Sequence, residues 1–276
     1  MDYKAHKEAP KRVRLAREAL HCCRLCPRQC AVNRIAGEKG YCRLDDSVRC
    51  FREMLFWGDE EQLVPSHQVY FAGCNLRCEF CPVFEWNNEP WMAREMDIDN
   101  LSRTIANRRM EGAKTLNLAG GEPAVNLHGI LELLARVEPE TMVVWNSNMY
   151  YGEIVDELMT GLVDVYLADF KCGNDRCAKA LLGAEDYVEV AKQNMLSACK
   201  HADIIVRHLV LPGHNECCLK PILHWLAEEM PRTKLSLRSD YVPPAEAIAA
   251  PKKYLQKDEL QKVEDLAGKM GLNLVQ

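Results

Sequence analysis

The chain has 276 residues, 48% of them hydrophobic and 27% charged, with 15 Gly and 13 Pro; this balance excludes a disordered or collagen-like chain and allows one large α/β barrel or two small domains. A net charge of −5 offers no general attraction to a nucleic-acid backbone, so no nucleic-acid partner is expected. No stretch approaches the ~20 apolar residues of a membrane span and no signal-like apolar core opens the chain, so a cytoplasmic protein with no membrane partner is expected, whose 14 cysteines serve metal chemistry or stay reduced.

From the N-terminus, Lys4, Lys7, Lys11, Arg12, Arg14 and Arg17 alternate with Ala9, Val13, Leu15, Ala16, Ala19 and Leu20. The spacing predicts a helix with one apolar side and a solvated basic face, in preference to a binding arm. Cys23, Cys26, Cys30 and Cys42 follow, with Pro27, Gly37 and Gly40 as turn residues. Four thiolates close either a tetrahedral zinc site or a complete [4Fe-4S] cluster; spacing does not select the metal, and the cluster is modestly preferred. Residues 1–65 are expected to form this cysteine-rich segment, and residues 66–276 a barrel.

After residue 65, short apolar runs alternate with helical patterns, the rhythm of βα units around a parallel sheet. Strands are expected at Gln68–Ala72, Thr115–Leu118, Met142–Trp145, Asp164–Ala168, Asp203–Leu211 and Lys234–Leu237. Helices are expected near 99–111, 127–137, 151–161, 184–200, 217–229 and 257–270. The fold class is therefore α/β, a partial (β/α)6 barrel.

In such barrels chemistry sits at the C-terminal ends of the strands, and unusual residues collect there. The first strand runs into Cys74, Cys78 and Cys81, the second into Gly120-Gly121-Glu122-Pro123, the third into Asn146 and Asn148, and the fourth into Asp169, Lys171 and Cys172. Arg207 and His208 enter the otherwise apolar fifth strand; Arg207 suits a carboxylate, whereas His208 belongs in the wall. Three thiols within eight residues can hold three corners of a cubane while leaving its fourth iron open. A structural zinc site would need a fourth ligand, which the loop does not supply. Two glycines let the chain pass close to a ligand, and Glu122 can accept from an ammonium.

The spacing Cys74-x3-Cys78-x2-Cys81 resembles the signature of the radical S-adenosylmethionine (SAM) superfamily, and Gly120–Pro123 resembles its GGEP segment. Asp169-Phe170-Lys171 is similar to an element of glycyl-radical-enzyme activases. Nearly the whole chain, the Cys23–Cys42 segment included, resembles the branch related to the pyruvate formate-lyase activating enzyme. That resemblance implies a radical SAM barrel whose [4Fe-4S] cluster binds SAM through its open iron and cleaves it to a 5′-deoxyadenosyl radical. It further implies a reductant such as flavodoxin or ferredoxin, Phe80 against adenine, Asn146, Asn148 and Arg207 among the cofactor-binding residues, and Lys171 on the methionine carboxylate. Departures occur at Pro82–Trp86 and at Asp240-Tyr241-Val242-Pro243, near the expected substrate opening.

The substrate would be a protein, such as the glycine of a glycyl-radical enzyme, or else a small molecule or peptide modified directly. A non-catalytic iron–sulfur electron carrier is the remaining alternative. Cys172 is singled out as a candidate hydrogen donor or substrate contact. Cys22, Cys50, Cys177, Cys199, Cys217 and Cys218 are read mostly as ordinary buried thiols.

Overall fold

The computed structural model describes residues 8–275; Lys4 and Lys7 lie outside them. Nine strands form one open sheet: β1 (Arg49–Phe56), β2 (Ser66–Phe71), β3 (Arg94–Glu95), β4 (Thr115–Gly120), β5 (Met142–Ser147), β6 (Val165–Asp169), β7 (Asp203–Leu209), β8 (Lys234–Arg238) and β9 (Asn273–Val275). Their spatial order is β3-β1-β2-β4-β5-β6-β7-β8-β9. From β2 through β9 every pairing is parallel, while β1 runs antiparallel to both β2 and β3. All six expected strands are present, and β9 extends the parallel set. The division expected at residue 65 runs between two paired strands, because β1 joins the sheet through β2.

The helices are α1 (Ala9–Glu18), α2 (Phe84–Asn88), α3 (Ile98–Met110), α4 (Leu127–Leu134), α5 (Glu153–Met159), α6 (Asp175–Leu182), α7 (Tyr187–Ala198), α8 (Lys220–Glu229) and α9 (Lys257–Lys269). Their ends follow capping chemistry: Asp97 accepts from Asn100 N at the start of α3, Asn174 accepts from Cys177 N at the start of α6, and Gln256 with Glu259 forms a capping box on α9. The basic side of α1 is partly used, since Arg12 donates to the Leu158 and Thr160 carbonyls at 2.8 and 2.7 Å and so satisfies the end of α5. No described helix is long and apolar enough to cross a membrane.

Strand periodicity divides the barrel radially. Leu63, Val144, Val165, Leu167 and Ile205 form an apolar floor. One step further along the same strand faces stand Asn146, Asp169 and Arg207, so the interior turns polar toward the C-terminal ends. On the opposite strand faces, Trp145, Tyr166, Ala168 and Val206 join the main core with the helices. His208 belongs to that outer side, buried, its Nδ1 2.6 Å from the Phe170 carbonyl.

Candidate active site at the barrel mouth

The loop after β2 turns at Gly73, whose φ of +83° favours glycine, and whose N–H donates to Trp86 O at 3.1 Å. Its far side is fixed to the end of α6, with Arg77 N on Leu182 O and Glu79 N on Leu181 O at 2.9 and 3.0 Å. Cys74 is buried; Cys78 and Cys81 are partly buried. Burial pushes all three thiols up, Cys78 to about 12, and the Cys74 thiol lies in the field of both Cys78 and Cys81. Lys171 works against that rise at Cys78 and Cys81. Amides serve the sulfurs: Asn87 Nδ2 lies 3.3 Å from Cys81 Sγ, and Asn148 Nδ2 3.7 Å from Cys74 Sγ.

Beside this loop, Gly120 has φ +120°, and a Cβ there would meet Phe71 N at 2.2 Å. At Gly121 a Cβ would fall 2.1 Å from both Asn87 Oδ1 and Gly73 O. Two chain segments therefore touch where only glycine fits. Pro123 is buried at the start of a single helical turn, and Glu122 caps that turn by accepting from Ala124 N at 3.1 Å. The Glu122 carboxylate also accepts from Ser147 Oγ at 2.8 Å and Asn148 N at 2.9 Å. It is 1% exposed, and burial, outweighing those hydrogen bonds and the nearby Lys171, pushes its pKa up to about 7. Three acceptor positions of about four are thus filled by the protein, which leaves Oε2 able to take one more donor.

The floor of the mouth is an ionic network. Asp169 accepts from Arg207 Nε at 2.7 Å and from Lys171 Nζ at 2.8 Å. Arg207 also donates to Asn146 Oδ1 at 2.7 Å and stands 4.0 Å from Asp59. Arg207 and Lys171 hold the Asp169 carboxyl well below its usual range, against its burial, and Asp169 in turn raises Lys171 against burial and the charge of Arg207. Lys171 and Arg207, expected to face a ligand carboxylate, are engaged by Asp169. Tyr187, which the sequence did not single out, fixes the same turn: its hydroxyl donates to Asp169 O at 2.7 Å and accepts from Lys171 N at 2.9 Å.

Asn148 is buried and spoken for on every side, with Nδ2 on Asn75 Oδ1 and Oδ1 accepting from Tyr150 N, both at 2.8 Å. Phe80 packs edge-on against Tyr241, ring centroids 6.3 Å apart. Cys172 does not open to the mouth; it is 0% exposed and its thiol hydrogen-bonds to Cys218. Asn87 and Asn75 were also passed over in the sequence, since an isolated Asn carries no spacing signal.

The N-terminal cysteines gather against this site. Cys26 feels Cys42 and Cys23, and Cys42 feels Cys23 and Cys30, although burial is the main cause of the upward shift in Cys26 and Cys42. Tyr41 N donates to Cys30 Sγ at 3.3 Å. The segment reaches the mouth loop directly: Arg28 Nε donates to Asn75 O at 3.0 Å, Arg77 donates to Tyr41 O, and a Cβ on Gly73 would meet Leu44 at 2.7 Å.

The mouth fits a thiolate-ligated cluster with a bound organic cation. The three thiols, Cys74 buried and Cys78 and Cys81 partly buried, are pushed toward the protonated form by burial, and metal binding would deprotonate them. Asn87 Oδ1, buried beside Gly121, has no hydrogen-bond partner among the described residues. It is an acceptor placed where the chain has been stripped of side chains.

The sequence matches the family model of the radical SAM superfamily over residues 69–226. An uncharacterized protein of Methanocaldococcus jannaschii is 33% identical over 277 residues, covering 96% of this chain and 79% of that protein. Among solved structures, a radical SAM methyltransferase from Sphaerobacter thermophilus superposes with a TM-score of 0.53 at 15% identity, covering 98% of this chain and 91% of the other. Streptococcus suis SuiB bound to its precursor peptide SuiA gives a TM-score of 0.56 at 15% identity over 73% of this chain. The chain spans only 46% of SuiB's length. These two structures share the fold, an open α/β barrel. With the family match extending across more than half of its residues, the chain belongs to the radical SAM superfamily.

Proposed function

We propose that Cys74, Cys78 and Cys81 bind three irons of a [4Fe-4S] cluster, that SAM occupies the fourth, and that the chain directs the resulting radical onto a polypeptide substrate. The observation that carries the reading is the placement of three thiols, Cys74 buried and Cys78 and Cys81 partly buried, on a loop beside the glycine-only contact at Gly121. When bound and reduced by a flavodoxin- or ferredoxin-type donor, the cluster supplies one electron to the SAM sulfonium, releasing methionine and a 5′-deoxyadenosyl radical that abstracts hydrogen.

The chain's own groups orient the ligand. Gly120 and Gly121 bring backbone against it, Asn87 Oδ1 and the free position on Glu122 Oε2 accept from its ammonium, and Pro123 sets the turn. Lys171 meets the methionine carboxylate by sharing its charge between that group and Asp169, with Arg207 and Asn146 holding Asp169 in place. Phe80 flanks the adenine, and Asn148 keeps the Cys74 loop in register through Asn75.

A polypeptide substrate is favoured over a small molecule because large apolar side chains stand exposed beside the mouth. Phe84, three residues past Cys81, is 55% exposed, and Val242 and Ile248 after β8 are 65% and 93% exposed. The backbone of Ile248–Ala250 is tied to Glu79 of the cysteine loop by three N–H donors at 3.1, 2.8 and 2.7 Å. Such a rim suits an extended segment, of which the glycine loop of a glycyl-radical enzyme is one kind. A mere electron carrier has no use for this rim or for the polar interior. The Cys23, Cys26, Cys30 and Cys42 set holds a second metal group, a [4Fe-4S] cluster in preference to zinc.

The reading is tested by anaerobic reconstitution followed by reduction with SAM, with 5′-deoxyadenosine measured in wild type and Cys78→Ala. Product that requires Cys78 supports it; equal product, or none from wild type, refutes it.

A further inference from the structure

Behind the mouth, the loops after β6 and β7 bring four metal-ligating side chains to one point. Cys177 lies in the first turn of α6; His214, Cys217 and Cys218 lie in the turn that leads into α8. Their ligand atoms all fall within 4.8 Å of one another. Cys177 Sγ and Cys217 Sγ are 3.7 Å apart, and His214 Nδ1 stands 3.5, 3.8 and 4.0 Å from the sulfurs of Cys217, Cys177 and Cys218. We propose that Cys177, His214, Cys217 and Cys218 bind a single tetrahedral metal ion of the zinc class, separate from the SAM cluster and from the N-terminal cysteines.

The separations decide between nuclearities. Zinc–sulfur bonds of about 2.3 Å and zinc–nitrogen bonds of about 2.0 Å, at tetrahedral angles, put sulfurs about 3.8 Å apart and nitrogen about 3.5 Å from sulfur. The Cys177–Cys217 and His214–Cys217 separations of 3.7 and 3.5 Å match a single ion, and all four ligand atoms fall within 4.8 Å of one another. A cubane would place each thiolate on a different iron and spread the ligands further. A disulfide between Cys177 and Cys217 would require about 2.05 Å.

The surroundings of Cys218 provide an independent indication. Its sulfur lies 3.7 Å from Asn174 Nδ2, with the Gly173 N–H and the Cys172 thiol as further hydrogen-bonding neighbours. Donors gathered on one buried sulfur serve a thiolate, and such outer contacts accompany metal ligands. Gly173 is obligatory for this approach, because a Cβ there would fall 2.0 Å from Cys218 O. Asn174 also donates to Cys217 O while capping α6 at Cys177 N, so one side chain fixes parts of both loops. Four protein ligands fill the tetrahedron, which makes the ion structural. It joins two βα loops and holds Lys171–Gly173 rigid at the back of the SAM site. Cys172, in this arrangement, positions Cys218.

Zinc, iron and sulfide would be counted by mass spectrometry and colorimetry on protein expressed with zinc and purified anaerobically, in wild type, Cys177→Ser/Cys217→Ser and Cys23→Ser/Cys26→Ser. The expected result is about one zinc per chain in wild type, retained in the N-terminal double variant and lost from Cys177→Ser/Cys217→Ser without loss of iron bound at Cys74, Cys78 and Cys81. Exchange with Co(II) should give the intense visible bands of tetrahedral cobalt, and His214→Cys should keep the metal while shifting those bands toward a four-thiolate spectrum. Zinc content equal in wild type and Cys177→Ser/Cys217→Ser, or a Cys177–Cys217 disulfide in the mapped peptides of anaerobic protein, would overturn the proposal. If the double-serine variant does not fold, His214→Cys decides alone: retained cobalt with shifted bands supports the site, and an unshifted spectrum removes it.

Discussion

Glu122→Gln is the most informative single change at the mouth, because it removes one ionisation from a site where ionisation is costly. The carboxyl is buried, and its pKa is raised from the ordinary 4.5 to about 7. A group that holds its proton more tightly when folded contributes stability that is complete below pH 4.5 and is lost as pH rises toward 7. At ~1.4 kcal/mol for each pH unit, the loss over that interval is about 3 kcal/mol. Glutamine keeps the shape and does not titrate. With its oxygen accepting from Asn148 N, its amide group donates to Ser147 Oγ and leaves Ala124 N without its acceptor, a cost of roughly 1–3 kcal/mol that does not vary with pH. Between pH 5.5 and 8, Glu122→Gln should gain about 2 kcal/mol on wild type. In a chain of this size that is a relative rise in melting temperature of about 4 °C. Anaerobic urea titrations of both proteins across that range measure it directly. A stability difference that is flat with pH, or that moves in favour of wild type as pH rises, would refute the assignment of Glu122 as the raised group.

Other expectations follow from the same geometry. SAM affinity in wild type should rise with pH through about 7, since a cation beside Glu122 favours the ionised carboxylate, and Glu122→Gln should abolish that rise in equilibrium binding. Gly121→Ala drives a Cβ into Asn87 Oδ1 and Gly73 O; a cost of roughly 1–3 kcal/mol and at least about a tenfold weaker binding of SAM are expected by calorimetry, one tenfold step corresponding to 1.4 kcal/mol. Asp169→Asn leaves Lys171 and Arg207 facing each other without the carboxylate between them. Removing one partner of a buried pair costs about 3–5 kcal/mol, and because these side chains are about one-fifth exposed, solvent screening brings the expected loss to roughly 1–3 kcal/mol. A variant as stable as wild type in denaturant would show that Asp169 does not hold the network.

Apart from the short, largely exposed β9, the parallel strands were legible because each reads as a short, mostly buried apolar run between helical patterns. β1 was not. Its sequence, Arg-Cys-Phe-Arg-Glu-Met-Leu-Phe, mixes charges with apolar residues, and its residues are mostly half-buried, as befits an antiparallel strand near the sheet's margin. α6 was hidden by the Asp169–Asp175 stretch, which reads as a loop until Asn174 is seen to cap it. At the site, the three-cysteine spacing and the glycine pair announce themselves because their chemistry is local in sequence. Asn87 and Tyr187 act through contacts that only tertiary structure creates.

The Cys177 cluster shows the same limit most clearly. His214-x2-Cys217-Cys218 carries three of the four ligands, but the fourth, Cys177, lies 37 residues from His214. The pairing of β6 with β7 brings the two loops together. The reading of Cys217 as a buried thiol is corrected by its exposure, with Cys177 partly buried; Cys217 sits in the turn that precedes α8 and Cys177 in the first turn of α6.

The open iron held by Cys74, Cys78 and Cys81 is the central claim, and electron paramagnetic resonance of reduced protein tests it most directly. With Cys23, Cys26, Cys30 and Cys42 all changed to serine, any remaining cubane signal belongs to the mouth loop. Added SAM should then shift the g values and broaden the signal when the labelled ligand carries a magnetic nucleus at its amino or carboxylate group. A cluster whose spectrum is indifferent to SAM, or a signal that survives Cys78→Ala, would contradict the account.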